Sequence, residues 1–138
     1  MWIYKDTEVT DISQIPEGVI GFVYLIVNKD TGEHYFGKKS LYSSRTLKPL
    51  KGSKRKRKVT KMSDWLKYQS SNSTVKNWNS PYKEIIEYCY TKKMLTVKEL
   101  QAILCMNGLE DDKCLNDNVL GKIFRGDFEK EKMLKNEQ

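Results

Sequence analysis

Tyr24 and Tyr35 stand eleven residues apart around a turn-rich segment, and Arg45 follows Gly37 by eight. That trio suits the cleavage of a phosphodiester. The reaction requires a water activated for in-line attack, charge stabilisation on the phosphoryl oxygens and help for the leaving oxygen. A tyrosine cluster can orient or deprotonate the water, especially where a nearby cation lowers a tyrosine pKa. The planar fork of an arginine can hold the phosphate. A single carboxylate can bind Mg²⁺, which takes oxygen ligands and keeps several waters. The single histidine, His34, excludes a His-rich metal site and a His/His acid–base pair. Cys89, Cys105 and Cys114 are irregularly spaced, with no C-x-x-C pair, and read as reduced thiols of a cytosolic protein rather than zinc ligands or a disulfide framework. A lone tyrosine in a strand more often packs than reacts; the pairing across a turn, with an arginine to follow, favours chemistry.

These residues need elements to hold them. Residues 21–28 are β-branched and aromatic, as a strand requires. Asn28-Lys29-Asp30-Thr31-Gly32 is turn chemistry, and residues 33–37 return as the second strand of a hairpin. If Tyr24 and Tyr35 are directly opposed they share a face; a bulge at Gly32 would shift the count. A brief strand is expected at Trp2–Tyr4 within a polar lead over residues 1–17. Residues 48–61 carry eight Lys or Arg, no acid, Pro49 and Gly52, and read as a solvated loop. Ser63 or Asp64 is expected to cap a short helix through Trp65, Leu66 and Tyr68. Residues 70–81 read as a loop and residues 82–91 as a third strand beside the hairpin, with Glu84 and Glu87 on opposite faces. Residues 96–106 read as a helix whose apolar face is Val97, Leu100, Ile103 and Leu104, ended by Asn107-Gly108. A last helix is expected near 127–136, in a tail (129–138) charged enough to fray. The fold class is therefore α+β, a small, mostly antiparallel three-stranded sheet flanked by helices, in a single domain spanning 1–138.

Gly21-Phe22-Val23-Tyr24 and Tyr35-Phe36-Gly37 resemble the two halves of the GIY-YIG nuclease signature, with the first glycine one residue further from its tyrosine than in the type pattern. The likeness continues through the basic segment and SDWLKY to LNDNVLGKIF, covering roughly residues 18–128, and is similar to short phage-encoded homing endonucleases. It implies catalytic roles for Tyr24, Tyr35, Arg45 and Glu99, with Glu99 as ligand of one Mg²⁺ (or Mn²⁺), and sets Asn116 or Asn118 where the family has a late asparagine. Glu99 has a competing structural reading, because Thr96-Val97-Lys98-Glu99 has the form of a capping box. Against that, Glu99 precedes Ile103 by one turn and flanks the apolar face. Glu84 and Glu87 are reserve carboxylates. Lys38 and Lys39 either contact the scissile phosphate or solvate a strand end, and Tyr42 is a third aromatic of the site or a loop anchor.

The net charge of +7 points to a polyanionic partner, nucleic acid or an acidic membrane surface. The hairpin motif favours double-stranded DNA and no membrane, with Lys54, Arg55, Lys56, Arg57 and Lys58 as a salt-sensitive clamp. Trp65, Tyr68 and Trp78 are either base-stacking or core residues. The longest apolar run, ten residues over 18–27, is too short to span a bilayer, and residues 1–17 lack the apolar core of a signal peptide. The expected activity is metal-dependent DNA hydrolysis in the cytoplasm (the host's, for a phage-encoded protein), with a homodimer as one route to double-strand cuts. Two other classes stand beside it. One is a non-catalytic DNA-binding protein on the same fold; the other is a protein-interaction factor.

Overall fold

The computed structural model describes residues 1–136, except for the side chain of Arg45, so the role expected of that side chain lies outside the described residues. Its N-terminal strands β1 (Trp2–Tyr4) and β2 (Thr7–Val9) pair antiparallel around Lys5 and Asp6. Both turn residues have positive φ, as a two-residue hairpin with the twist of its strands requires. The expected hairpin follows as β3 (Gly21–Val27) and β4 (His34–Ser40), the second strand running three residues beyond Gly37. Next come β5 (Tyr42–Leu47), β6 (Arg57–Met62), the one-turn helix α1 (Ser73–Lys76) and β7 (Tyr82–Cys89). Helix α2 (Lys92–Cys105), the short pair β8 (Asn118–Val119) and β9 (Ile123–Phe124), and α3 (Arg125–Asn136) complete the order.

The class is α+β, but the main sheet has five strands, in the order β2-β1-β7-β3-β4, not three. The extra pair is the N-terminal hairpin, whose β1 docks parallel on β7. Local sequence does not announce such a pairing, because partners such as Trp2 and Lys83 are joined only by the fold. Trp2 explains its stability: its ring packs against Phe22 and Tyr24, and its indole N–H donates to the Trp65 carbonyl at 2.7 Å.

Two layers cover the sheet. On one face Trp2, Phe22, Tyr24, Ile26 and Ile85 pack under residues 63–78, with Trp65 and Val75 buried among them. On the other, Val23, Leu25 and Phe36 meet α2 through Leu95, Ala102 and Ile103. Residues 63–68 form turns rather than the expected helix. The Lys67 and Tyr68 N–H groups reach only three residues back, as the chain drives Trp65 into the core. The expected loop over 70–81 contains α1, capped by Asn72, whose side chain accepts from the N–H groups of Thr74 and Val75.

The basic segment is not all loop. Residues 57–62 pair with 42–47 to make a separate two-stranded arm, exposed along the whole of β6. Helix α2 begins four residues before the expected start, and its N-cap is Thr91, whose hydroxyl accepts from the Met94 N–H. Thr96 lies inside the helix, so no capping box involves Glu99. The buried face also differs from the expected one. Leu95 and Ile103 are buried, whereas Val97 and Leu104 are exposed. Asn107 ends the helix with positive φ, and α3 begins two residues before the expected 127.

Candidate active site

Register decides which of the expected residues meet. Tyr24 lies opposite Gly37 and Tyr35 opposite Ile26, so the tyrosines are diagonal neighbours, not directly opposed. They still share a face, because both pairings belong to one unbroken ladder and alternate residues along β4 point the same way. Gly32 takes positive φ in the turn without shifting that ladder. Gly37 permits the arrangement: a Cβ there would strike the Tyr24 ring. Gly21 serves a different close approach, since a Cβ would lie 2.6 Å from the Lys39 carbonyl oxygen. Its offset from Tyr24 therefore has a packing reason of its own.

The two tyrosines are not equivalent. Tyr24 is 1% exposed. Burial pushes its hydroxyl far above the usual tyrosine range, with the Ser70 side chain and Tyr68 in hydrogen-bonding reach. Tyr35 is half-buried and also raised by burial, beside Ser71 and with Glu99, Tyr68 and Asp117 adding negative influence. Tyr68 completes a triad of aromatic hydroxyls: its ring stands edge-on to Tyr24 at 6.0 Å, and Lys39 Nζ lies 4.0 Å from its centre. From its sequence context Tyr68 is expected only as a base-stacking or core residue. The signal available was its place in SDWLKY, one turn past Asp64, which ion-pairs with Lys39 at 2.8 Å and whose carboxyl that contact lowers.

Lys38 and Lys39 point to opposite faces of β4. Lys39 joins the tyrosine face, whereas Lys38 donates to the Thr96 hydroxyl of α2 at 2.9 Å. Glu99 sits in line with Leu95 and Ile103 at four-residue intervals, and that stripe turns it toward the sheet. It lines a cleft of about 240 Å³ with Tyr35, Asn72, Asn116, Asp117 and Asn118. Burial raises its carboxyl above the ordinary range, with Lys38 pulling in the opposite direction. Glu84 and Glu87 do not stand on opposite faces. An extra residue in β7, between the partners of Val23 and Tyr24, puts both opposite Val23 and Leu25 on the α2 face, where Glu87 lies 3.6 Å from Lys98.

Asn116 is 6% exposed and takes the part of a neighbouring strand. Its Oδ1 accepts from the Phe36 N–H and its Nδ2 donates to the Phe36 carbonyl, both at 2.9 Å. Two residues earlier along β4, the His34 N–H donates to Lys113 O and its carbonyl accepts from the Leu115 N–H. The Arg125 guanidinium holds this segment by donating to the carbonyls of Asp111 and Cys114. The late segment thus covers the open edge of β4 and carries Asp117 to the cleft. Asn118 is exposed and its side chain accepts from the Gly121 N–H, a turn role. Tyr42 is exposed at the base of the arm and makes none of the aromatic contacts of the triad among the described residues. The backbone of Arg45 lies in that arm opposite Val59, and Lys54 to Lys58 are exposed toward its tip.

The cleft's donors are oxygens: the Glu99 and Asp117 carboxylates and the Tyr35 hydroxyl, while the amide oxygens of Asn72, Asn116 and Asn118 accept from backbone N–H groups. Among the described residues no cluster of three or more His, Cys, Asp or Glu forms a cage. This donor set fits a hard divalent cation held by one or two carboxylates and completed by waters and substrate phosphate. No curated protein and no solved structure matches the chain. Residues 2–119 match the family described as "Putative endonuclease segE, GIY-YIG domain". With Tyr35 of the hairpin and the helix-borne Glu99 on one cleft, a match that spans most of the chain places this protein in the SegE GIY-YIG endonuclease family.

Proposed function

We propose that the chain is a divalent-metal-dependent endonuclease that hydrolyses double-stranded DNA, with Mg²⁺ (or Mn²⁺) as its cation. One observation carries the reading: Tyr35 and the half-buried Glu99, sixty-four residues apart in sequence, line the same polar cleft beside the tyrosine triad. The Tyr35 hydroxyl positions the attacking water at the wall of that cleft. It acts first as a hydrogen-bonding group, because burial keeps it protonated at neutral pH, and as a base only as far as neighbouring positive charge lowers its pKa. Tyr24, fixed behind it, holds the triad together through Tyr68 and Ser70. Lys39 sets positive charge against the Tyr68 ring. Arg45 is assigned the phosphoryl oxygens on the family resemblance. Glu99 would hold the cation, with Asp117 at hand, and a bound cation would neutralise charge on the phosphoryl and leaving oxygens.

Asn116 acts indirectly in this scheme, by fixing the strand that carries Tyr35. The basic arm supplies electrostatic affinity for the duplex. A single cleft cuts one strand, so a double-strand break requires a second copy or a second event. The biological role we assign is homing or DNA degradation in the cytoplasm (the host's, if phage-encoded).

Plasmid nicking tests the proposal. Wild type with Mg²⁺ or Mn²⁺ is expected to convert supercoiled DNA to nicked circles, and Glu99→Ala and Arg45→Ala are expected to be inactive. Salt-sensitive DNA binding without cleavage by wild type would replace the enzyme with a DNA-binding protein. Full activity in Glu99→Ala would remove Glu99 as metal ligand.

A further inference from the structure

The arm made by β5 and β6 is unlike the rest of the molecule. Its six-pair ladder, from Tyr42↔Met62 to Leu47↔Arg57, forms a sheet separate from the main one. It is roughly 20 Å long at the usual rise per residue. Every residue of β6 is exposed, so the ribbon is not held out by a hydrophobic face of its own. Its base is firm. The Leu41 N–H donates to the Ile20 carbonyl, the Ser63 N–H to the Leu41 carbonyl and the Ser63 hydroxyl to the Ser40 carbonyl. The ribbon therefore leaves the body directly from the end of β4, the strand that carries Tyr35.

Its composition indicates its occupant. Residues 48–61 hold eight cations and no acid, which is complementary to a polyphosphate. The register also sorts the ribbon into two faces. Ser44 lies opposite Thr60 and Thr46 opposite Lys58, so one face groups three hydroxyls and an ammonium at adjacent positions. Those groups can donate to and accept from base edges. A two-stranded ribbon fits the ~12 Å width of the B-DNA major groove, and the right-handed twist of paired strands lets it follow that groove.

We propose that this ribbon enters the major groove of the DNA substrate, where Ser44, Thr46, Lys58 and Thr60 read base edges while the basic tip, residues 48–56, binds flanking phosphates. The chain then carries its own sequence-reading element at a set distance from its cleft. This rests on the DNA-nuclease reading for its substrate, but binding tests it independently of cleavage.

The experiment uses the full chain with EDTA, so that no DNA is cut. Dimethyl sulfate reports access to guanine N7 in the major groove of bound duplexes, and fluorescence anisotropy reports affinity across a salt series. One variant replaces residues 48–56 by Asn-Gly, a two-residue turn that fits the Leu47↔Arg57 pair closing the ladder. A second combines Ser44→Ala, Thr46→Ala and Thr60→Ala. Wild type is expected to protect a run of guanine N7 positions. The turn variant removes five cations (Lys48, Lys51, Lys54, Arg55 and Lys56) and is expected to reduce the log–log salt slope by up to about 4.5, with at least a tenfold loss of affinity near physiological salt. The face variant is expected to keep that slope but lose roughly tenfold or more of its preference between duplexes selected by wild type and scrambled ones. Thermal melting close to wild type would show both variants folded, since the arm contributes nothing to the core. Unprotected N7 positions, protection confined to the minor groove, or equal affinity and preference in folded variants would overturn the proposal. Bound, N7-protected DNA that wild type never cuts with metal would leave the ribbon standing and remove the nuclease reading alone.

Discussion

Replacing Gly37 by alanine tests whether the motif glycine exists to seat Tyr24. The new Cβ would lie 2.9 Å from Tyr24 Cε1 and nearer still to Cζ and the hydroxyl. Carbon pairs settle at about 3.5–4.0 Å, so the ring must retreat by roughly 1 Å. It has little room, because Trp2 and Phe22 stand against it at centroid separations of 5.4 and 6.4 Å and Tyr68 at 6.0 Å. Overpacking of this kind costs about 1–3 kcal/mol. For a chain of this size that lowers Tm by roughly 3–15 °C. A displacement of about 1 Å in a catalytic cluster can reduce turnover by roughly a hundredfold. The assays are thermal melting and single-turnover plasmid nicking. Gly126→Ala is the control, since a Cβ there meets nothing within 4 Å, and it should cut as wild type does and melt no lower, alanine being the better helix former in α3. Adding Tyr24→Leu to Gly37→Ala should recover part of the stability without the activity, giving a coupling of about 0.5–3 kcal/mol. If Gly37→Ala melts and nicks like wild type, the ring is not held over residue 37 and this account of the motif fails.

Glu99→Gln is expected to abolish metal-dependent nicking yet raise Tm in EDTA at pH 7–8. Because burial raises the Glu99 carboxyl, its contribution to stability is full below the unfolded pKa near 4.5 and is lost as pH rises through the folded value. The Tm difference should therefore vanish below about pH 4, and a glutamine variant less stable than wild type at pH 8 would refute the assignment. Asn116→Ala orphans the N–H and carbonyl of buried Phe36 and should cost about 1–3 kcal/mol for each group in urea unfolding; an unchanged midpoint would show the edge to be satisfied otherwise. Tyr24 and Tyr35 are both raised and so stay protonated throughout the neutral range. Where Tyr35 serves as the base, loss of its proton makes the single-turnover rate climb through pH 9 without a plateau, and Tyr35→Phe should lose most of the rate. A plateau below pH 8 would assign the limiting proton to another group.

Much of the site's framework is local and therefore legible. β3 and β7 announce themselves by β-branched and aromatic runs, the hairpin by Asn28 to Gly32, and the end of α2 by Asn107-Gly108. The Leu95, Glu99, Ile103 stripe was also present in the spacing, but Val97 and Leu104 drew the apolar face to the wrong side, because hydrophobicity alone cannot say which side of a helix meets a sheet. The charged strand β6 gave no warning for the opposite reason: a ribbon solvated on both faces has no alternation to detect.

Sequence by itself determined the chemistry available to this protein. With one histidine and no clustered thiols, tyrosine, carboxylate and cationic side chains were what remained, and the order of the motifs named the family. The tertiary structure decided the assignments. One extra residue in β7 moved Glu84 and Glu87 onto the same face, away from the tyrosines, and the cap at Thr91 freed Glu99 to face the cleft. Asn116 became a strand partner for Phe36 across eighty residues of chain. Register, caps and edge pairing depend on which distant segments touch. Side-chain types and their spacing define what can react; only long-range contacts fix which groups meet.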